Sequence, residues 1–546
     1  MRVNEAVVET LVANGIDTVF GIPGTQSLPL NEAIDARADV RFVMARHETA
    51  VSQAAWGYGE TSNRPAATCV IPGPGDLNAM NGLKNALNDG TPLVHIAVET
   101  EPEIRGGDGI HETPPETYDT VVKENVTVET VESTVAVLER AIASATAPPT
   151  GPVRVGIPRD FLAADVALAA AGPFDGGGVN GVPAAAVAEA ADLLADADAP
   201  VIVAGGGVRR AAASAALQTV AERLDAPVVP TYKGKGVFPE DHSLFAGILS
   251  VGSSVHLRDL IAEADAALGV GTDFDAVTTG AWSVDIPDAL VHVALHPADI
   301  GTGYDPAVGI VADARETLEA LDESLAERSP TPTISGGDRA DAVREGDAAL
   351  MSEAVSVTDP PLTSPSAETA LREALPREAI VTVDAGGFRI WGLHVIDAYE
   401  PMGFVDSGSW GSMGVALPAA IGAKLANPDR PVVAVTGEGG LMMCMHELHT
   451  AAAEQIPVIV FVLNNDDYAT ISWEAARNFA FDTGAFDWPQ TPVRFSQIAE
   501  NLGVAGVTAE TPGDIRAAVT EALDHPHPTL IEVPTDPDEP QAKPLE

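Results

Sequence analysis

The sequence predicts an α/β protein of three doubly wound parallel-sheet domains in series, and three observations lead there. Short apolar runs that read as strands alternate with stretches of helical periodicity from one end of the chain to the other, which is the pattern of parallel layers. That alternation is interrupted twice, by a Gly-rich stretch at 170–183 and by a Ser-, Thr-, Pro- and Asp-rich one at 326–365. The chain of 546 residues is also too long for a single core, and its 46% hydrophobic and 20% charged residues are the composition of a folded protein.

The first block, residues 1–165, closes on VRVGIPRDFL, a strand running into a turn. The second, 184–325, opens with the helix AAAVAEAADLLADAD and continues through the strands PVIVAGGG, APVVPT and ADAALGVGTD. Residues 326–365 read as a linker with a short helical stretch around 338–354. The third block, 366–546, supplies the strands AIVTVD, PVVAVTGEGG, VIVFVLNN and TLIEVPT. The GGG at 205–207 follows a strand, but position 210 is Arg, so the full G-x-G-x-x-G of a dinucleotide site is absent and a tight strand-to-helix turn is expected.

Charge constrains partners rather than fold. Lys and Arg number 30 against 79 Asp and Glu, a formal net charge of −49. A field of that sign repels nucleic acid and anionic membranes, so neither is expected as a partner. Only six of the basic residues are Lys (84, 123, 233, 235, 424 and 543). Such acidity is tolerable where molar salt shortens the Debye length to about 3 Å, and the composition resembles that of proteins from salt-accumulating halophiles. Cys69 and Cys444 lie in apolar surroundings and are expected to be buried, reduced and structural. Met1 is followed by polar residues, and no apolar run approaches 18, so a cytoplasmic location is expected.

The chemistry concentrates in the third block. The strand PVVAVTG runs into Gly437-Glu438-Gly439-Gly440, a helix follows, and the next strand ends at Asn464-Asn465, with 24 residues between Gly440 and Asn465. One strand–helix–strand crossover brings both strand ends to the same edge of a parallel sheet, where such folds bind ligands. A carboxylate on one turn and a carboxamide on the next then converge as hard oxygen ligands for Mg²⁺, which completes its octahedron with water and phosphate oxygens. The glycines permit a diphosphate to approach the helix N-terminus.

This pattern resembles the diphosphate-binding motif of thiamine-diphosphate enzymes, GDG followed some 20 residues later by NN. The resemblance to the acetolactate synthase and benzoylformate decarboxylase-like group runs nearly end to end, through FGIPGTQSLPLNEAI, RHETAVSQAAWGYGE, CVIPGPGDLNAMNGLKNALNDGTPLV, GPVRVGIPRD and GSWGSMGVALPAAIGAKLANPDRPVVAVTGEGG. It implies that Glu48 is the carboxylate that hydrogen-bonds the aminopyrimidine ring of thiamine diphosphate and promotes proton removal from the thiazolium carbon. It implies further that Met413 wedges the bent cofactor, that the Gly411 carbonyl accepts from its amino group, and that Gly73, Pro74 and Gly75 form the loop approaching the active centre. Glu438, Asn465 and the backbone carbonyl of Asp467 become the metal ligands, with Gly437, Gly439 and Gly440 beside the diphosphate.

The sequence departs from the group at several places. Glu438 stands where the family has Asp, one methylene longer beside a geometrically demanding metal. Where acetolactate synthases carry RHEQ, GQ and FQE, this chain has RHET, Val98-Glu99 and Ile110-His111-Glu112. His111 falls near the loop where decarboxylases of the group place catalytic histidines, so a proton-shuttling role is expected of it. Ile471 replaces a Glu of pyruvate decarboxylases, and Trp473 has the spacing of a substrate-pocket wall in benzoylformate decarboxylases. In the middle block, Asp273 and Val277 replace two arginines of the flavin-binding acetolactate synthases, which argues against FAD and makes that domain a spacer and oligomer former. The resemblance therefore implies a Mg²⁺- and thiamine-diphosphate-dependent enzyme that decarboxylates or ligates 2-oxo acids, a homodimer or homotetramer with active sites at the subunit interface. The alternatives are a non-oxidative benzoylformate-type decarboxylase and a cofactor-binding paralogue without turnover.

Overall fold

The computed structural model describes residues 1–107, 109–166 and 181–542, and three parallel sheets follow one another along it. The first contains β1 (Thr18–Gly21), β2 (Arg41–Met44), β3 (Ala66–Val70), β4 (Leu93–Glu99), β5 (Glu124–Thr127) and β6 (Pro152–Pro158), in the order β2-β1-β3-β4-β6-β5. The second contains β7 (Pro200–Ala204), β8 (Val228–Pro230), β9 (Ala266–Val270), β10 (Leu290–Ala294) and β11 (Val308–Val311), in the order β11-β10-β9-β7-β8. The third contains β12 (Ile380–Val383), β13 (Phe404–Asp406), β14 (Val432–Gly437), β15 (Ile459–Asn464), β16 (Ala505–Thr508) and β17 (Thr529–Pro534), in the order β13-β12-β14-β15-β17-β16. The paired strands run parallel throughout. Most of the Gly-rich stretch at 170–183 lies outside the described residues.

Strands β3, β4, β6, β7, β9, β10, β12 and β15 are buried along their whole length. This is why they read as unbroken apolar runs: helices cover both faces of a parallel sheet. The edge strands β2, β5 and β16 are only partly covered. In the first and third sheets the strand order turns back at the β1/β3 and β12/β14 neighbours, the switch points outside whose carboxyl ends α/β sheets take ligands.

Those two sheets are held together by helices of small residues. The helix Glu48–Glu60 follows β2 and the helix Ala416–Ala426 follows β13, and Ala50, Val51, Ala54, Ala416, Leu417 and Ala420 share one core. Gly57 faces the backbone of Ala419, and Gly422 faces that of Ala54 and Tyr58, so closely that a Cβ at either would collide. Glu447 adds a polar tie, accepting from the backbone N–H groups of Arg46 at 3.0 Å and His47 at 2.9 Å. The second sheet docks on the first through buried Glu60, which pairs with Arg209 at 3.1 Å and with Arg210.

The stretch at 326–365 is more ordered than a linker. Gly336–Val355 form a helix of 20 residues, fastened to the second sheet by Arg339 Nη1 donating to the Pro200 carbonyl at 2.8 Å and by Gly336 N–H donating to Asp225 at 3.1 Å. Gly205 to Gly207 turn directly from β7 into a short helix, backed by Gly207 N–H donating to the Gly271 carbonyl at 2.8 Å. Cys69 and Cys444 are both buried and free. No described helix is long and apolar enough to cross a membrane.

Candidate active site

β14 delivers Glu438 to the first position of a short helix, Glu438–Cys444, and β15 delivers the loop Asn465–Asp467. One backbone donor joins them: Asp467 N–H reaches Glu438 Oε1 at 3.0 Å and Asn465 Oδ1 at 3.2 Å. The adjacent Asn464 is committed elsewhere, donating to Glu532 at 2.9 Å, so of the two asparagines only Asn465 faces Glu438. Burial pushes the Glu438 carboxyl up to about 7, against the pull of the Asp467 and Asn465 N–H groups, and Asp466 adds repulsion. Asp466 itself sits at φ +56, and its buried Oδ1 has no hydrogen-bond partner.

Acidic oxygens buried without compensation are stabilised by a cation. Carboxylate, carboxamide and a neighbouring backbone carbonyl are the hard donors Mg²⁺ prefers. The residues present therefore fit the metal. They form only part of a shell, and among the described residues no group of three or more His, Cys, Asp or Glu side chains is arranged to hold a metal. The remaining ligands would be water and phosphate oxygens.

The Gly411–Gly414 loop lies beside this cluster. Its backbone takes φ +64 at Gly411 and φ +77 at Gly414, conformations that favour glycine. Asp384, at the end of β12, pins it by accepting from Gly414 N–H at 2.9 Å and from Thr436 Oγ1 at 3.0 Å. Burial pushes the Asp384 carboxyl up to about 6. Gly439 is bare for a reason that the sequence does not show. A Cβ there would stand 2.5 Å from the Tyr468 ring and 3.3 Å from Met413 Cε, so in this structure the missing side chain makes room for Tyr468 and Met413.

The first sheet supplies the other cluster. Glu48 opens its helix behind His47, whose Nδ1 accepts from Thr49 N–H at 3.2 Å. Asn78 Nδ2 donates to Glu48 Oε2 at 3.0 Å, while a Cβ on Gly75 would stand 3.3 Å from Glu48 Oε1. Gly73, at φ +62, has the His111 carbonyl where a side chain would be. His111 is itself left-handed at φ +65, and its Nδ1 lies 3.4 Å from Gln26 Nε2. The amide can only donate, so a neutral His111 carries its proton on Nε2. The fold thus brings Glu48, Gly73 and His111 together. It also hangs the Gly411 loop from the helix Pro74–Asp89 that follows Gly73: Asn81 donates to Ser412 Oγ at 3.0 Å and accepts from Trp410 Nε1 at 2.7 Å.

Family models match all three blocks in order: the thiamine pyrophosphate enzyme N-terminal binding domain over residues 1–121, the central domain over 187–321 and the C-terminal binding domain over 384–533. The chain belongs to the thiamine pyrophosphate enzyme family. Within it the similarity is to acetolactate synthases. The large subunit from Parasynechococcus marenigrum is 30% identical, over 97% of this chain and 86% of its own. The isozyme 1 large subunit from Escherichia coli is 29% identical, over 98% and 94%. Among solved structures, the thiamine diphosphate-dependent 4-hydroxybenzoylformate decarboxylase of Rhodococcus jostii superposes with a TM-score of 0.84 at 28% identity, covering 99% of this chain and all of that one.

In this thiamine pyrophosphate enzyme the central domain is the block expected to be a spacer and oligomer former. A cavity of about 590 Å³ opens at its strand ends between Gly207, Gly271, Asp273 and Asp299. The cations at its walls are already engaged, Arg209 and Arg210 by Glu60, Lys233 by Asp275 at 3.5 Å, and Lys123 by the Ser144 and Ala147 carbonyls. A flavin diphosphate would meet there side-chain cations that are each already paired.

Residues around the two clusters that escaped the sequence reading include Gln26, Asn78, Asp384, Glu447, Asp466 and Tyr468. Asp384 alone left a signal, as an acidic residue ending a strand at a switch point.

Proposed function

We propose that this chain is a Mg²⁺- and thiamine-diphosphate-dependent decarboxylase or carboligase of small 2-oxo acids, acetolactate synthase-like. The observation that supports it most is the Asp467 N–H shared by Glu438 and Asn465, which sets two hard oxygens and the unpartnered Oδ1 of Asp466 at the carboxyl ends of β14 and β15, beside the switch point of the third sheet. Glu438, Asn465 and the Asp467 carbonyl hold the metal, and the amides from Gly437 to Gly440 face the diphosphate. Met413 shapes the cofactor seat and the Gly411 carbonyl accepts from the aminopyrimidine. Thiamine diphosphate, when bound, supplies an electron sink for the pair left behind as CO₂ departs. Glu48 holds and returns a proton at the pyrimidine ring, positioned by Asn78. His111 moves a proton at the reacting end of the substrate through Nε2.

A second copy of the chain completes the site in a homodimer or homotetramer. Trp410, Met442, Met443, Leu77 and Ile471 are exposed around the two clusters, an apolar face that a partner would cover. Buried, free Cys69 and Cys444 suit a cytoplasmic enzyme.

The second reading is a non-oxidative benzoylformate-type decarboxylase, favoured by the Rhodococcus neighbour and by the spacing of Trp473, on the helix Ala469–Asn478 that follows the Asn465–Asp467 loop. A cofactor-binding paralogue without turnover is disfavoured by Glu48, whose placement serves proton transfer.

The test is CO₂ release from pyruvate, branched-chain 2-oxo acids and benzoylformate in molar KCl, with thiamine diphosphate and Mg²⁺ present or omitted and products identified by mass. Release that needs both cofactors supports the proposal, and the product separates decarboxylase from carboligase. Cofactor binding without release from any acid supports the paralogue. Gel filtration showing only an active monomer overturns the shared site.

A further inference from the structure

We propose that Glu447 is a positioning residue for Glu48: reaching across from the third domain, its carboxyl clamps the turn that presents Glu48 and so sets where that group stands. This rests on the reading above of Glu48 as the group that holds and returns a proton.

The turn has few acceptors of its own. β2 lies at the edge of the first sheet and pairs with β1 alone. Ala45 N–H still reaches the Gly21 carbonyl at 3.1 Å, and there the ladder ends. Arg46 and His47 follow, and Glu48 then opens its helix. Backbone donors at a strand edge and ahead of a helix must find acceptors elsewhere.

The third domain supplies them. At the first position of the helix Glu447–Ala453, Glu447 Oε1 accepts from Arg46 N–H at 3.0 Å and from His47 N–H at 2.9 Å, the second of these one residue from Glu48. Just past the other end of that helix, Glu454 Oε1 accepts from Met44 N–H at 3.2 Å, and the Glu454 carbonyl accepts from Arg41 Nη2 at 2.9 Å. Two side chains thus stand in for the neighbouring strand that β2 lacks.

The clamp is itself fixed. Glu447 is 1% exposed, and Thr450, one turn on, donates to its Oε2, so the oxygen that meets the turn is held in place. Glu48 by contrast is half-buried, and Asn78 donates to it; its place depends on where its backbone begins. Proton transfer is sensitive to such placement, and a shift of about 1 Å caused by a remote substitution costs about 10²-fold. Reach, not charge, is what the two N–H groups require. A carboxamide oxygen accepts from them as a carboxylate does, whereas aspartate is one methylene too short.

The test uses the full-length protein in molar KCl with Mg²⁺ and thiamine diphosphate, as the native chain and as Glu48→Gln, Glu447→Ala, Glu447→Asp and Glu447→Gln. Exchange of the thiazolium C2 proton for deuterium is read by quenched NMR, cofactor affinity by calorimetry, and amide exchange over residues 44–49 by mass spectrometry. Glu447→Ala and Glu447→Asp are expected to slow C2 exchange by about 10²-fold and to unprotect the Arg46 and His47 amides, with cofactor affinity kept within about threefold. Glu447→Gln restores the C2 rate and the amide protection. Where Glu447→Ala does not fold, the contrast of Asp with Gln decides alone. Slow exchange in Glu447→Gln with fast exchange in Glu447→Asp assigns the effect to charge and overturns the positioning. C2 exchange that no Glu447 variant slows, while Glu48→Gln abolishes it, also overturns the positioning and leaves Glu48 its role. Exchange that Glu48→Gln leaves unchanged overturns the reading of Glu48, and the positioning with it.

Discussion

The first and third sheets share one strand order, yet they were put to different chemical use. β3 leads through Gly73 into a helix that carries Gly75, and β14 ends at Gly437 and leads into a helix that carries Gly439 and Gly440, at equivalent places in the two orders. The helix after β2 begins with Glu48, and the helix after β13 is entered through Met413. In the first sheet the Glu48 carboxylate is half-buried and accepts from the Asn78 side-chain amide at 3.0 Å. In the third sheet Glu438 is 4% exposed and shares one backbone donor with Asn465, a setting that a cation satisfies. Equal topology fixes where a ligand lies; burial and donor count decide what each end does to it.

Four outcomes would break or sharpen that contrast. Glu48→Gln removes the proton carrier and keeps the shape, so CO₂ release should fall by about 10²- to 10⁴-fold, with cofactor affinity by calorimetry little changed. Retained turnover would show that the first sheet is not the proton-handling half. Next comes the tie between the sheets. Burial pushes the Glu447 carboxyl from 4.5 up to about 7, so the folded state holds that proton more tightly than the unfolded chain. Its stabilising effect is complete below about pH 4.5 and is lost as pH rises through 7, by no more than about 3 kcal/mol. Melting temperatures of wild type and Glu447→Gln should therefore shift in the variant's favour between pH 4.5 and 7. A difference that does not change with pH would count against it.

The third outcome concerns the metal half. Glu438→Ala, which removes a ligand itself, should weaken Mg²⁺ binding by more than the about 10- to 100-fold that loss of an outer-shell partner costs and weaken thiamine diphosphate binding with it, both by calorimetry, while leaving the Glu48 cluster folded. Unchanged metal affinity would remove Glu438 from the site. The smallest effect is expected at the seam. Asn81→Ala deletes the bonds to Ser412 and Trp410 and should cost about 1 kcal/mol, read as a small drop in melting temperature with a few-fold rise in the cofactor dissociation constant.

Much of this was legible in the chain. Strands buried on both faces must be continuously apolar, so PVVAVTG and VIVFVLN announce themselves, and the short motifs at their ends carry the ligand types with them. Less was legible where a partner lies far along the chain. Glu447 meets Arg46 and His47 across some 400 residues, and its HEL context gives no hint of two backbone donors. Gly439 reads as a phosphate glycine, and only folding shows Tyr468 against it. Residues 338–354 read as a short stretch within a linker because their apolar face is sparse; Arg339 and Gly336 anchor the longer helix through hydrogen bonds that leave no periodicity.

The sequence by itself determined the three sheets, the family and the residue types at the strand ends, because periodicity, glycine turns and ligand spacing are local properties of the chain. Tertiary structure decided which asparagine faces Glu438, that the cations lining the central cavity are engaged, and that Arg154 is buried against Asp76 and Glu99. Those outcomes depend on burial and on competition for hydrogen bonds among residues that meet only once the sheets have formed.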